Sequence, residues 1–244
     1  MSNADEIRAY WDADAATYDN AHHHRPTSVA ELAAWATALA RLLPPPPSRV
    51  LDCGAGTGFL SLIAARLGHK VTALDLSGGM LDRLRVRAAD EGVAVEVVEG
   101  SAAEPPAGPF DAVMERHLLW TLPDPVATMR SWRGVAPFGR LVVIEGVWGR
   151  VDRVEAMRAQ GRDLLRRLRG QPAGHHASYD PRIRAGLPWG SGTKPSVVVG
   201  AVAEAGWPDP WLERLRDVEW AEAVEAPLPE RLLGVAPRFV VTAG

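Results

Sequence analysis

Residues 50–68 read VLDCGAGTGFLSLIAARLG, and this stretch decides the fold. It passes from a short apolar run through three closely spaced glycines into apolar residues at helical spacing, so it reads as strand, tight turn and helix. Gly54, Gly56 and Gly58 let the backbone approach a ligand without Cβ interference. Gly68 stands where a left-handed cap ends the helix. Such a unit is the repeating half of a parallel sheet, and open sheets of this kind bind ligands at the carboxyl ends of their strands.

Seventeen residues beyond Gly58, the next apolar run, VTALDLS (71–77), places Asp75 at the tip of the neighbouring strand. A carboxylate there can accept hydrogen bonds from both hydroxyls of a ribose. Taken alone, Asp75 could be a helix N-cap and the glycines a ligand-free connection; the order of the two features favours the nucleoside reading. Dinucleotide enzymes use the same physics, but their fingerprint wants glycine at position 59, where this chain has Phe59. Asp52 also precedes the first glycine by two residues. An acidic group on the approach to the turn is awkward for a pyrophosphate and suits a ligand carrying ammonium and sulfonium charges. S-adenosylmethionine is therefore the cofactor expected, ahead of NAD.

Outward from this unit, apolar runs and helical patterns alternate, which predicts a doubly wound α/β fold with a mostly parallel sheet. Strands are expected at 49–53, 70–75, 94–98, 111–115 and 140–147, and helices at 58–67, 78–91 and 124–135. Before them, the proline run 44–47 is a stiff connector, preceded by helices at 5–19 and 29–43. The second of these carries Leu32, Trp35, Ala36, Leu39 and Leu43 on one face. After the core, 150–168 reads as a charged amphipathic helix, and 170–195 is rich in Gly, Pro and His, as a mobile cover over a pocket or a surface insertion would be. A helix at 196–205 and strands at 211–215 and 238–242 close the chain. The organisation expected is one domain over 1–244: an N-terminal helical cap (1–43), a cofactor-binding core (48–147), a substrate-side insertion (150–195) and the closing elements (196–244).

The whole chain bounds its partners. Its 244 residues carry 27 basic and 30 acidic side chains, a net charge of -3, which gives no electrostatic footprint for nucleic acid or an anionic membrane. No apolar run approaches the roughly 18 residues of a membrane span, and the N-terminus lacks the basic-then-apolar pattern of a leader. A cytoplasmic location, a small-molecule partner and a monomer or homodimer are the expectations. The lone Cys53 excludes an intrachain disulfide and any multi-cysteine metal site, and no metal is expected.

Taken in order, VLDCGAGTG (50–58), ALDLS (73–77), EGSAAEPP (99–106), FDAVMERHLLWTLPDP (110–125) and GRLVVIEG (139–146) resemble the class I S-adenosylmethionine-dependent methyltransferases, in their small-molecule, type 11-like branch. The opening AYWDADAATYD (9–19) is similar to that branch's N-terminal helix, in which an aromatic closes over the cofactor. The resemblance implies a Rossmann-like seven-stranded sheet with an antiparallel last strand. It also implies that Gly54, Ala55 and Gly56 line the methionine and ribose, that Asp52 helps hold the amino end, and that Asp75 takes the ribose hydroxyls. Leu76 and Met80 would flank the adenine. Ser101 stands where the family usually has an aspartate for the adenine amino group, and Ala102 matches the residue whose backbone amide reads adenine. Arg116 matches a residue whose backbone carbonyl meets the methionine amino group, and Tyr18 is the candidate cofactor-capping aromatic.

Methyl transfer from a sulfonium is an in-line displacement, so alignment and exclusion of water are the protein's main tasks. An acceptor that must lose a proton needs a base, for which His117 and His22 are the candidates. The run His22–His24 and the pair His175–His176 suit a solvated or rim position better than a metal, and Trp148 and Trp189 fall where substrate-facing elements are expected. The segment WGSGTKPS (189–196) lacks the spacing and upstream strand of a phosphate loop. The function expected is methyl transfer to a small molecule, an aromatic or lipophilic secondary metabolite, with O-, N- and C-methylation left open. The alternatives are an NAD-dependent oxidoreductase and a non-catalytic adenosyl-cofactor-binding protein.

Overall fold

Strands β1 (Arg49–Cys53), β2 (Lys70–Asp75), β3 (Val95–Glu99), β4 (Ala112–Arg116), β5 (Arg140–Gly146), β6 (Trp211–Arg214) and β7 (Arg238–Ala243) form one sheet in the order β3-β2-β1-β4-β5-β7-β6. This computed structural model describes residues 3–20, 24–26, 28–147, 153–168 and 181–244. The first five strands pair in parallel, β7 runs antiparallel beside β5, and β6 is antiparallel to β7. The sheet is thus the Rossmann-like arrangement that the resemblance implied. Its strand order reverses between β1 and β4, which opens a crevice at their carboxyl ends. Cys53 lies opposite Leu74, so the glycine turn leaves β1 level with the tip of β2.

Alternation along each strand sends side chains to two cores. On one face Leu51, Cys53, Val113, Val143 and Val241 pack with Met129 and Trp132 of α5 (Pro125–Val135) and Val198 and Val202 of α8 (Pro195–Glu204). On the other, Val50, Met114, Val142 and Val240 pack with Trp35 and Leu39 of α2 (Val29–Leu42), Leu60 and Ile63 of α3 (Phe59–Arg66), and Val218 of α9 (Arg216–Glu225). By the same parity Asp52, Arg116 and Arg238 lie on the α2–α3 side, and Glu115 and Glu145 on the α5–α8 side. Three helices start on side-chain caps: Ser28 for α2, Ser77 for α4 (Gly78–Glu91) and Asp124, followed by Pro125, for α5.

Some elements differ from the reading of the sequence. The first helix, expected to reach residue 19, ends as α1 (Asn3–Asp14), and Tyr18–Asn20 forms a separate 3-10 turn. Arg83 of α4 donates to the carbonyls of Ala15 and Ala16 (3.2 and 2.6 Å), satisfying acceptors left free just beyond the end of α1. Helices α9 and α10 (Leu228–Leu233) were not expected; in α9 the apolar positions Val218 and Ala221 are interleaved with Arg216, Asp217, Glu219 and Glu222, which mask the periodicity. The amphipathic helix after the core is α6 (Arg153–Leu168), and the insertion contains a short α7 (Pro181–Ala185).

Candidate cofactor site

The three glycines of the turn all have positive φ, at 67°, 54° and 89° for Gly54, Gly56 and Gly58. Their surroundings separate them. A Cβ on Gly54 would lie 2.8 Å from the Leu118 side chain and one on Gly58 2.7 Å from Leu84, whereas one on Gly56 meets nothing within 4 Å. Gly54 and Gly58 are packing positions; Gly56 faces open space at the strand tips. The Gly54 and Ala55 amides both donate to the Leu74 carbonyl (2.8 and 3.0 Å). The Gly56 amide donates to Asp75 Oδ2 at 2.8 Å, and the Ser77 amide to Asp75 Oδ1 at 2.9 Å. Asp75 thereby ties the turn to β2 while each oxygen keeps a further lone pair for a ligand. Burial raises its pKa against the pull of the amides of Ser77, Gly56 and Leu76.

Asp52 is buried beneath the turn, and its Oδ2 accepts from Ser61 Oγ at 2.5 Å. Burial pushes its carboxyl up to about 7, with the Ser61 hydrogen bond opposing. Asp52, Gly54, Ala55, Gly56, Arg116 and Tyr18 line one cleft together with Phe59. The Arg116 guanidinium lies 3.9 Å from the Phe59 ring centre and 5.5 Å from that of Trp35. Burial, reinforced by Arg238, lowers it to about 10, which leaves it charged at neutral pH. Tyr18 stacks on His24, with ring centres 3.7 Å apart, and burial pushes its hydroxyl up to about 12.

Contacts distant in sequence fasten the N-terminal cap to this cleft, and the sequence reading missed them. Thr57 Oγ1 donates to Asp19 Oδ1 at 2.6 Å, and Arg87 Nη1 donates to the Thr57 carbonyl at 2.9 Å. Asp12 Oδ1 accepts from Ser77 Oγ (2.6 Å) and the Gly79 amide (3.1 Å), so a residue of α1 caps the start of α4. Ser77 was legible as a cap, but nothing local in the sequence names a partner 65 residues away.

The remaining expected residues lie around the tips of β2 and β3. Leu76 packs with Ile7, Tyr10 and Trp11 of α1, Trp120, and Ile183 and Leu187. Met80 is buried in the first turn of α4. Ser101 Oγ accepts from the Ala103 amide at 3.2 Å, which leaves its O–H to donate. The Ala102 carbonyl accepts from Trp132 Nε1 at 2.7 Å, fixing the loop after β3.

His117 sits at the end of β4 with a φ of 60°. Arg238 Nη1 lies 3.1 Å from its Nε2, and Glu145 Oε2 lies 3.2 Å from its Nδ1. A guanidinium only donates, so Nε2 accepts, and Nδ1 carries the hydrogen toward Glu145. Both ring nitrogens are thus engaged, and protonating Nε2 would set an imidazolium against Arg238. The sequence reading also passed over Glu115 and Glu145, although acids inside apolar strand runs are a visible signal. Both are buried; burial pushes Glu145 up to about 8 and, with the charge of Glu145 adding, Glu115 well up. Glu115 Oε2 accepts from the Leu118 amide at 2.8 Å, shaping the turn after β4. Trp189 packs against the α5–α8 core. His22, His23, Trp148, His175 and His176 lie outside the described residues. Among the described residues, no group of three or more His, Cys, Asp or Glu is arranged to hold a metal, and no helix is long and apolar enough to cross a membrane.

Residues 50–137 match the methyltransferase domain family. A ubiquinone biosynthesis O-methyltransferase of Xanthomonas axonopodis pv. citri is 33% identical over 180 residues, covering 71% of this chain and 72% of that one. The chain belongs to the class I S-adenosylmethionine-dependent methyltransferases. As a member it is an enzyme whose cofactor is S-adenosylmethionine, and the NAD alternative falls away. Against a Xanthomonas campestris pv. campestris protein of the same name, the match spans 55% of this chain and 57% of that one. Two solved structures share the fold of this methyltransferase at low identity. Magnesium protoporphyrin IX methyltransferase from Synechocystis PCC 6803 superposes with a TM-score of 0.61 at 13% identity, covering 100% of this chain and 97% of that one. Haemonchus contortus phosphoethanolamine N-methyltransferase 2 gives 0.63 at 17%, covering 100% and 60%.

Proposed function

We propose that this methyltransferase methylates an oxygen of a small aromatic or lipophilic molecule held beneath the α1 roof. What supports this reading is the apolar and aromatic cluster that Tyr10 and Trp11 of α1 form with Trp120, Ile7, Ile183, Leu187 and Leu76, just beyond the tip of β2. Apolar and aromatic walls with a few convergent polar groups suit small planar ligands. The name of the Xanthomonas relatives, ubiquinone biosynthesis O-methyltransferase, favours oxygen as the atom methylated.

The donor set fits an adenosyl cation: Gly56 opens onto free space, Asp75 offers lone pairs beside it, and Asp52 lies beneath. In this reading Gly54, Ala55 and Gly56 line the methionine and ribose, Asp75 takes the ribose hydroxyls, and Asp52 and the Arg116 carbonyl hold the amino end. Leu76 and Met80 flank the adenine, the Ser101 hydroxyl and the Ala102 amide meet its edge, and Tyr18 closes the cleft. When bound, S-adenosylmethionine supplies a methyl group already activated by the sulfonium charge. The chain's residues then supply alignment, worth up to about 7–11 kcal/mol in well-oriented reactions, and exclude water. His117, at the end of β4 and held between Glu145 and Arg238, is the candidate base for an acceptor that must lose a proton.

The test is incubation of the full chain with deuterium-labelled S-adenosylmethionine and a panel of phenols, catechols, amines and carbon acids, with products read by mass spectrometry. Labelled ethers are expected. Label found only on nitrogen or carbon would overturn O-methylation, and binding of S-adenosylhomocysteine with no label on any phenol or catechol would overturn the aromatic acceptor class.

A further inference from the structure

Beyond the cofactor cleft lies a second cavity of about 170 Å³ between α2, α3 and α4. Its described lining has two characters. Pro26, Leu32, Phe59 and Ile63 form an apolar floor; Arg25, Arg66 and Arg87 stand around it, with Glu91 as the one acidic residue. Phe59 belongs to the walls of both cavities. The Arg66 guanidinium is engaged by Glu91, with Nε 2.9 Å from Oε2. Arg87 is different: its side chain is 12% exposed, one Nη1 donates to Thr57, and its buried Nε has no hydrogen-bond partner among the described residues. Arg25 is exposed at the rim. The neighbouring Asp19 lies 3.8 Å from Arg87 and offsets one charge, so an excess of positive charge remains.

An anion in the cavity would lie beside the Arg87 and Arg25 charges, and next to the little-exposed Arg87 that attraction is only weakly screened. Burial lowers the pKa of Arg87, with Asp19 and Glu91 opposing and Arg25 and Arg66 adding to it. The apolar floor and Glu91 select against a compact dianion such as phosphate, which would leave the floor unused and meet a like charge. A monoanion with an apolar body satisfies both halves, since a cavity on the order of 150 Å³ accommodates a benzene ring and arginine matches carboxylate geometry. We propose that this cavity is a second ligand site, for a small aromatic or short-chain carboxylate, separate from the cofactor cleft and divided from it by Phe59.

The probes are phenylacetate and its neutral isostere phenylacetamide, titrated calorimetrically into the full chain saturated with S-adenosylhomocysteine. Phenylacetate should bind at one site, and phenylacetamide at least tenfold more weakly. Arg25→Glu, a change at an exposed rim position, should weaken phenylacetate at least tenfold and leave S-adenosylhomocysteine affinity unchanged. Absence of phenylacetate binding, equal binding of acid and amide, or indifference to Arg25→Glu would overturn the proposal. So would loss of phenylacetate binding on saturation with S-adenosylhomocysteine, which would place the acid in the cofactor cleft.

Discussion

Asp52 and Gly56 show how single residues are set at the cofactor cleft at some cost to the fold. The folded-state pKa of Asp52 is raised from 3.8 to about 7, so the folded chain holds an extra proton between those values. Its contribution to stability therefore falls as pH rises through that window and is least favourable above it. Asp52→Asn, which can still accept from Ser61, should raise the melting temperature at pH 8 and leave it nearly unchanged at pH 3.5. The same variant should bind S-adenosylhomocysteine about 10- to 100-fold more weakly, the worth of a charge-assisted hydrogen bond; differential scanning calorimetry and a binding titration check the two halves. The glycines give a second contrast. Gly56→Ala has room for its Cβ and meets only the left-handed backbone penalty of about 1–2 kcal/mol, so a fall in melting temperature of a few degrees should accompany loss of cofactor binding. Gly58→Ala would put its Cβ 2.7 Å from Cγ of the fully buried Leu84 and should destabilise considerably more. Glycine, Asp52 and Asp75 were legible because their chemistry is local to one turn and the next strand. Ser61 under Asp52, and Arg238 on His117, were not, because each pairing exists only once strands and helices are brought side by side.

At the scale of elements, the strands and the helices that follow them were readable to within a residue or two, since apolar runs and caps are written locally. The end of α1 was not, because the Arg83 contacts that hold the chain beyond it reach in from α4. The Asp12 latch belongs to the same class of contact. Asp12→Ala removes the acceptor for Ser77 Oγ and the Gly79 amide and should cost about 0.5–2 kcal/mol, as the loss of a helix cap does. Hydrogen exchange should then show the amides of α1 opening more readily while those of β1 and β4 keep their protection. Unchanged exchange in α1 would mean that Asp12 does not fasten the roof. The charged sequence of α9 hid a helix that packs on α2, and only the buried Val218 and Ala221 reveal why it forms there.

For the whole molecule, the resemblance implied seven strands with the last antiparallel, but their order is contained in no one motif and is seen only in the sheet, where it leaves a crevice between β1 and β4. That crevice brings residues from 18 to 116 of the chain to one cleft. The central claim is that this cleft binds an adenosyl cation through Asp75 and the turn it holds. Calorimetric titration of the full chain and of Asp75→Ala, each with S-adenosylhomocysteine and with NAD, tests it most directly. Saturable one-site binding of S-adenosylhomocysteine to the unaltered chain, weakening by about 30-fold or more in Asp75→Ala, with no heat from NAD, is the predicted result; undiminished affinity in Asp75→Ala, or saturable binding of NAD, would contradict it.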